Sequence, residues 1–382
     1  MKLANLCKAV SSSDDYQNDC CRLEINLSNI CSNYLTISAM CSTASLASVV
    51  KSNAYSLGAN KIAPALESVG CSIFFVASFK EAMSLRGYLK NSSYIYVLNG
   101  IFQGQESDFI NNNLIPVINN LWQLNIWNQF AKYLHKKLSC ILHFDTGMNR
   151  LGLTHNQIIK IINDDNLIDG LQFAYIMSHL SCGHNAHHLH NKQQLDKFQN
   201  YLNYFPSSKS SLANSAVLSL GPEYHFDMVR IGAALYGLEK ARKEKNSDIK
   251  SVISLNAPII QLNSIPKDSH IGYDLTFTAN SNRLIATLPL GYGDGYPIEA
   301  SNIGKAYIQG YEAKIVGRVS MDLVNIDVTD VPNELLFIGQ QVSLISPHYT
   351  IQDLADDINI SCYNVLINLM SNRYDIIYKY ND

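Results

Sequence analysis

Residues 49–59 read VVKSNAYSLGA: two β-branched residues lead into Lys51, and a polar turn holding Tyr55 follows. A lysine that ends an apolar run is placed to lose its proton, because burial disfavours the ammonium. A neutral amine attacks aldehydes and can hold one as a Schiff base. Four further stretches carry residues that such chemistry could use. HFDTGMNRLGL (143–153) supplies Arg150 and SHLSCG (178–183) supplies His179. LANSAVL (212–218) supplies Ser215, and FDMVRIGAALYG (226–237) supplies Arg230, Gly232 and Ala233. The Ser215 hydroxyl and the Gly232 backbone suit a phosphate, since glycine lets an anion approach bare N–H groups.

Each of these sets follows a short β-rich run. Eight runs are visible: Leu46–Val50, Ile73–Ala77, Tyr94–Leu98, Ile115–Ile118, Ser139–Phe144, Gln172–Ser178, Ser210–Ala213 and Phe226–Ile231. Amphipathic stretches alternate with them, such as IAPALESVG (62–70), which stops at Gly70. Ser78 and Glu81 have capping-box spacing, so a helix is expected just after the second run. Serial strand–helix units predict the α/β class and a closed, TIM-like (β/α)8 barrel. An open doubly wound sheet would give the same alternation. In a parallel barrel, catalytic groups come from the carboxyl ends of the strands, where this set falls.

The stretch 23–41 reads as a strand and helix feeding the barrel, and the charged run at 239–250 as a linker. Beyond it the pattern turns to period two with frequent turn residues, which predicts a mostly-β domain with one late helix near Ile351–Asp357. The expected organisation is a polar lead-in at 1–20, a barrel at 21–245 and a β domain at 246–382.

Composition narrows the function classes. Of 382 residues, 47% are hydrophobic and 16% charged, an ordinary globular profile. A net charge of −3 gives no basic field for nucleic acid or an anionic membrane. No apolar run is long enough to span a bilayer, and the first residues lack the apolar core of a signal peptide. The nine cysteines are scattered, which argues for reduced thiols in a cytoplasmic protein rather than a disulfide framework. His184, His187, His188 and His190 offer helical pairs, but no nearby Glu completes a metalloprotease pattern, and no metal is assigned. Asp145 and Asp294 read as turn residues.

A lysine plus a phosphate cradle is what pyridoxal 5'-phosphate requires. An arginine facing its pyridine nitrogen would be an unusual partner, because it keeps its own proton and weakens the ring as an electron sink. VVKSNAYSLGA resembles the lysine-and-tyrosine signature of the alanine racemases, barrel-type pyridoxal-phosphate enzymes. The four stretches above look like that family's blocks, in its order. So do GYDLTFTA (272–279), LPLGYGDGYP (288–297) and GRVSMDLVNIDVT (317–329). The resemblance covers roughly residues 22–375. It implies an N-terminal barrel, a C-terminal β domain and a homodimer with shared active sites. It also implies pyridoxal 5'-phosphate as cofactor, L- and D-alanine as substrates, and D-alanine for peptidoglycan as the purpose.

Carried over by position, Lys51 would hold the cofactor and serve as base on one face of the substrate. The partner subunit's Tyr273 would serve on the other. An ordinary phenol, with a pKa of about 10, is a poor base at neutral pH. His179 and Arg230 would help it by hydrogen bonding and positive field. Arg230 would also face the pyridine nitrogen. Tyr55, Ser215, Gly232, Ala233 and Tyr363 would hold the phosphate. Arg150 and the backbone N–H of the partner subunit's Met321 would bind the substrate carboxylate, and Tyr292 would narrow the mouth. Two positions depart from the family, a mild change at Ser56-Leu57, where members often have Gly-His and little is expected of it, and one that matters. Many members carry a carbamylated lysine seven residues before this arginine, and here that residue is His143. A protonated His143 would repel Arg150, so a neutral His143 or an anion must take the lysine's place. A serine or broad-specificity racemase is the rival reading, since pocket volume sets substrate choice. A non-catalytic pyridoxal-phosphate-binding relative is another, against which the β domain with Tyr273 and Met321 argues.

Overall fold

The computed structural model describes residues 21–41, 43–215, 219–238, 248–370 and 375–380. The expected lead-in at 1–20 and most of the expected linker lie outside them. Two compact units emerge: Leu27–Lys250, and Ser251–Asp382 joined by the residues up to Asn26.

The first unit is a barrel of eight parallel strands: Ser45–Val49, Ile73–Val76, Tyr94–Val97, Leu114–Ile118, Leu138–His143, Leu171–Met177, Ser210–Ser211 and Met228–Ile231. Neighbours in sequence pair in parallel, and the first strand pairs with the last, Ser45 opposite Met228 and Ser48 opposite Ile231. The seventh and eighth strands are joined by Asp227 N–H to Ser210 O (3.0 Å) and Arg230 N–H to Ala213 O (3.1 Å). The ring therefore closes, and the open sheet is excluded.

Alternate residues point inward, as a pleated strand requires. Ile73 with Phe75, Ile115 with Val117 and Tyr175 with Met177 form the interior cluster with Ala47, Tyr96, Ile141 and Met228. The Phe75 and Tyr96 rings stack with centroids 4.9 Å apart. Helix Phe79–Arg86 begins at the expected capping box: Ser78 Oγ accepts from Glu81 N–H and Glu81 from Ser78 N–H. Helix Leu27–Met40 buries Leu27, Ile30, Cys31, Tyr34 and Ile37 on one stripe.

The second unit is a nine-stranded sheet, antiparallel but for one pair. The strand Arg22–Asn26, expected to feed the barrel, lies here instead, antiparallel to Ile253–Pro258 and parallel to Asp375–Lys379. The reason is in its pattern. Leu23 and Ile25 are fully buried while Arg22 and Glu24 are half-buried, which suits a sheet with one wet face rather than an all-apolar barrel strand. The late helix Ile351–Asp357 forms as expected, and a second, Cys362–Leu369, follows it. Among the described residues no helix is long and apolar enough to cross a membrane. The described cysteines are free thiols, all buried but Cys182.

Candidate active site

Pairing of the first barrel strand runs on to Val50, whose N–H donates to Phe75 O at 2.9 Å. Lys51 comes next, and then the backbone inverts. Ser52, Asn53, Ala54, Tyr55 and Ser56 have φ of 53°, 54°, 55°, 56° and 70°. This is one turn of left-handed helix, closed by Ala54 N–H to Val50 O (2.9 Å) and Ser56 N–H to Ser52 O (2.7 Å). Such geometry costs about 1–2 kcal/mol per residue for side chains with a Cβ, so its surroundings must impose it. Asn53 Oδ1 accepts from Ala59 N–H at 2.8 Å, and the Tyr55 ring packs on Tyr236 at 4.9 Å. Nothing in the sequence beyond a polar turn announced this. The half-buried Lys51 amine is pushed below its ordinary pKa by burial first and by the Arg150 charge second, against an upward pull from Glu81.

The turn brings Tyr55 against Gly232. A Cβ there would stand 2.4 Å from the Tyr55 hydroxyl oxygen, so any larger residue would push the Tyr55 ring aside. Buried Ser215 accepts from the N–H groups of Gly232 and Ala234, both at 3.2 Å. Ala233, also buried, opens the short turn Ala233–Tyr236. Two hydroxyls thus converge with two backbone N–H groups, which here donate to Ser215 and which an anion would have to share with it; the donor set fits a phosphate on those terms.

Arg230 is buried and donates to Ser178 O (2.6 Å), Leu212 O (3.3 Å), Ser211 Oγ and His179 Nδ1 (3.4 Å). Burial lowers its pKa to about 10, so it stays charged at neutral pH. Because His179 accepts through Nδ1, its proton sits on Nε2. Burial and then the Arg230 charge hold its pKa well below the ordinary value.

His143 is held neutral by its surroundings. Asn119 donates to Leu98 O (2.9 Å) and Val117 O (3.0 Å), leaving its Oδ1 to accept from His143 Nδ1 at 2.8 Å. Burial and then the Arg230 charge bring the His143 pKa down to about 3. The ring is neutral, and the feared repulsion of Arg150 does not arise.

Exposed Arg150 ends a turn organised by Asp145, whose Oδ1 accepts from Gly147, Met148 and Asn149 N–H at 2.9, 3.0 and 3.1 Å. That is the turn role expected of Asp145. The turn is braced by residues the sequence did not single out for this role. Fully buried Gln194 donates to Thr146 Oγ1 (3.2 Å) and His179 O (2.9 Å) and accepts from Ser181. His190, from the histidine-rich run, bonds Gly147 O through Nε2 at 3.2 Å.

The remaining candidates lie in the second unit. Tyr273 is 71% exposed and Met321 54%. Tyr273 follows Gly272 in a small hairpin whose Asp274 pairs with Arg318. Tyr292 N–H donates to Ser320 O (3.0 Å) and Gly293 N–H to Met321 O (2.8 Å), so these two loops are laced together. Asp294 acts as the expected turn residue, accepting from Gly291 N–H at 2.8 Å. A Cβ on Gly295 would strike Asn368 O, which seats this loop on the helix carrying Tyr363. The structure therefore gathers Lys51, Tyr55, Arg150, His179, Ser215, Arg230, Gly232 and Ala233 at the barrel's carboxyl end. It places Tyr273, Tyr292, Met321 and Tyr363 on the loops and second helix of the β unit.

The family model for the alanine racemase N-terminal domain matches residues 25–240, and that for the C-terminal domain matches 252–378. The chain belongs to the alanine racemase family. An alanine racemase of Rickettsia canadensis is 48% identical over 93% of this chain and 98% of its own length. One of Rickettsia akari is 46% identical over 94% and 99%. The crystal structure of alanine racemase from Bartonella henselae, with covalently bound pyridoxal phosphate, superposes with a TM-score of 0.89 at 34% identity, covering 94% of this chain and 99% of that one. The biosynthetic enzyme of Pseudomonas aeruginosa gives 0.83 at 29% identity over 95% and 100%.

Proposed function

We propose that this family member is a pyridoxal-phosphate-dependent alanine racemase, acting as a cytoplasmic homodimer that supplies D-alanine for peptidoglycan. The observation that carries the reading is the lysine whose pKa burial lowers, on the same barrel end as the Tyr55–Ser215–Gly232 cradle. Lys51 would hold the cofactor's aldehyde carbon, the cradle and Tyr363 its phosphate, and Arg230 its ring nitrogen. When bound, pyridoxal phosphate withdraws electrons from the substrate Cα and makes its proton removable.

The chain's own groups do the rest. Arg150, with the backbone N–H of the partner subunit's Met321, holds the substrate carboxylate. Neutral His143 leaves the guanidinium unopposed. Lys51 takes or returns a proton on one face of Cα, and the partner subunit's Tyr273 does so on the other. Two bases on opposite faces invert the centre, whereas one base would return the proton to its origin. Arg230, charged and held by backbone carbonyls, would leave the ring nitrogen unprotonated and restrain electron withdrawal to what proton exchange needs. Tyr292 would narrow access to the mouth.

The deciding test is Tyr273→Phe, assayed for conversion of L- to D-alanine, with L-serine in parallel. The variant should keep its yellow colour and lose roughly 10²–10⁴-fold in rate, the usual contribution of one general acid–base. Full activity in the variant would overturn the two-base assignment. Faster turnover of serine than alanine by the unaltered protein would overturn the substrate.

A further inference from the structure

We propose that Glu81 is a positioning residue for Lys51, clamping the turn that follows the lysine and standing as its carboxylate neighbour. The inference rests on Lys51 being the reacting amine. Glu81 Oε1 accepts from Ser52 N–H at 2.9 Å, and Oε2 from Ala77 N–H at 2.7 Å and Ser78 N–H at 3.3 Å. One carboxylate thus joins the residue after Lys51 to the two residues that follow the neighbouring strand Ile73–Val76. It offers an acceptor where a left-handed turn would otherwise leave the Ser52 N–H to solvent, and so helps impose that turn. Both oxygens meet only donors. An amide would turn its own NH2 group toward one of them, so the position calls for a charge and not merely for an acceptor.

The charges around Lys51 are few. Arg150 opposes its protonation and Glu81 favours it, while His179 is held neutral. On the neighbouring helices Lys61 is exposed, and Glu67 is engaged with Lys90 N–H and Ser93. Arg86 is turned onto the carbonyls of Lys90, Ser93, Asn112 and Asn113. Lys80 lines, with Ser52, Asn53 and Glu81, a cavity of about 610 Å3 that opens Glu81 to water on one side. Glu81 is therefore the carboxylate whose charge reaches the Lys51 amine among the described residues, and it is partly screened.

The test reads the amine itself. Full-length chain freed of bound aldehyde is acetylated with limiting acetic anhydride across a pH series, and the Lys51 peptide is quantified by mass spectrometry. Glu81→Gln should move the midpoint of Lys51 labelling to lower pH. Ser78→Ala, which removes the helix cap but keeps the Glu81 charge, should leave it in place while lowering the melting temperature. A Glu81→Gln midpoint that stays put overturns the proposal, as does one that rises toward that of an exposed amine in an unfolded chain. A Ser78→Ala shift as large as the Gln shift also overturns it, by tracing the effect to geometry alone. Borohydride reduction of the unaltered protein with pyridoxal phosphate reports separately on Lys51. No adduct there would end the racemase reading while leaving the acetylation comparison intact.

Discussion

The barrel end and the loops of the β unit each carry a share of the candidate residues, and they are built in opposite ways. At the barrel end Arg230, His143 and Ser215 are buried, and carbonyls, amides and hydroxyls fix their orientation. On the β unit Tyr273, Tyr292, Met321 and Tyr363 are exposed, on elements secured by backbone hydrogen bonds and close-fitting glycines. A buried polar group must be satisfied within its own fold, so the first set is organised by one chain alone. Large apolar side chains shown to water mark a surface that gains by being covered. In the proposed dimer the second copy would provide that cover. On the proposed reading the contrast divides the chemistry: the barrel would hold most of the cofactor, with Tyr363 of the exposed set reaching its phosphate, and Tyr273 and Met321 would finish the reaction.

The largest effect on cofactor binding should come from filling the barrel cradle. Gly232→Val puts a branched side chain where a single Cβ already stands 2.4 Å from the Tyr55 hydroxyl. Overpacking of this kind costs about 1–3 kcal/mol. The Kd for pyridoxal phosphate should rise by roughly 10- to 100-fold, read by titrating the imine absorbance. An unchanged Kd would show that the anion sits elsewhere and would break the assignment of cofactor binding to the barrel.

The two regions also differed in how far the sequence revealed them. Every barrel strand was visible, most because strands buried on both faces read as apolar runs, the two-residue Ser210–Ser211 because it keeps the rhythm, and the helices between them carry caps and stripes. The candidates at the strand ends followed from that. Helix Cys362–Leu369 went unnoticed although Cys362, Val365, Leu366 and Leu369 fall on one buried stripe, because CYNVLINL is short and mixes β-branched residues with turn formers. The turn at 52–56 could not be foreseen, since Ala54 and Tyr55 disfavour a left-handed backbone and adopt it under tertiary constraint. Gln194 and Asn119 were hidden for a related reason. A buried amide on a helix or at a strand end looks like any surface amide until its partners are known. The misplaced strand Arg22–Asn26 did carry a signal, its period-two alternation.

An intermediate effect should separate the regions by pH. His143 has a folded pKa of about 3 and His179 is displaced in the same direction, whereas an unfolded histidine titrates near about 6.5. Below that value the unfolded chain takes up protons that the native barrel refuses. Stability should therefore be fully present above about pH 6.5 and fall steadily as pH drops toward 3, by at most about 1.4 kcal/mol per pH unit for each such ring. Urea unfolding between pH 7 and 4.5 should show this slope, and His143→Asn should reduce it by one proton's worth. A slope unaltered in His143→Asn would mean that the ring is not held neutral, and the barrel end would lose its claim to be preorganised.

The smallest effect should come from Tyr292→Phe. The ring is exposed, and its loop is held through the main chain, by Tyr292 N–H to Ser320 O and Gly293 N–H to Met321 O. Removing the hydroxyl touches none of that. Surface changes away from caps, cores and networks fall within about 0.5 kcal/mol. Urea unfolding at low protein concentration should place the variant inside that range, while the KM for alanine shifts if the phenol narrows the mouth. A stability loss beyond about 1.5 kcal/mol, the range expected for stranding a buried hydrogen-bond partner, would show that the phenol is anchored within its own chain. The exposed set would then be part of a self-sufficient fold, and the contrast with the barrel would fail at the residue where it is easiest to test.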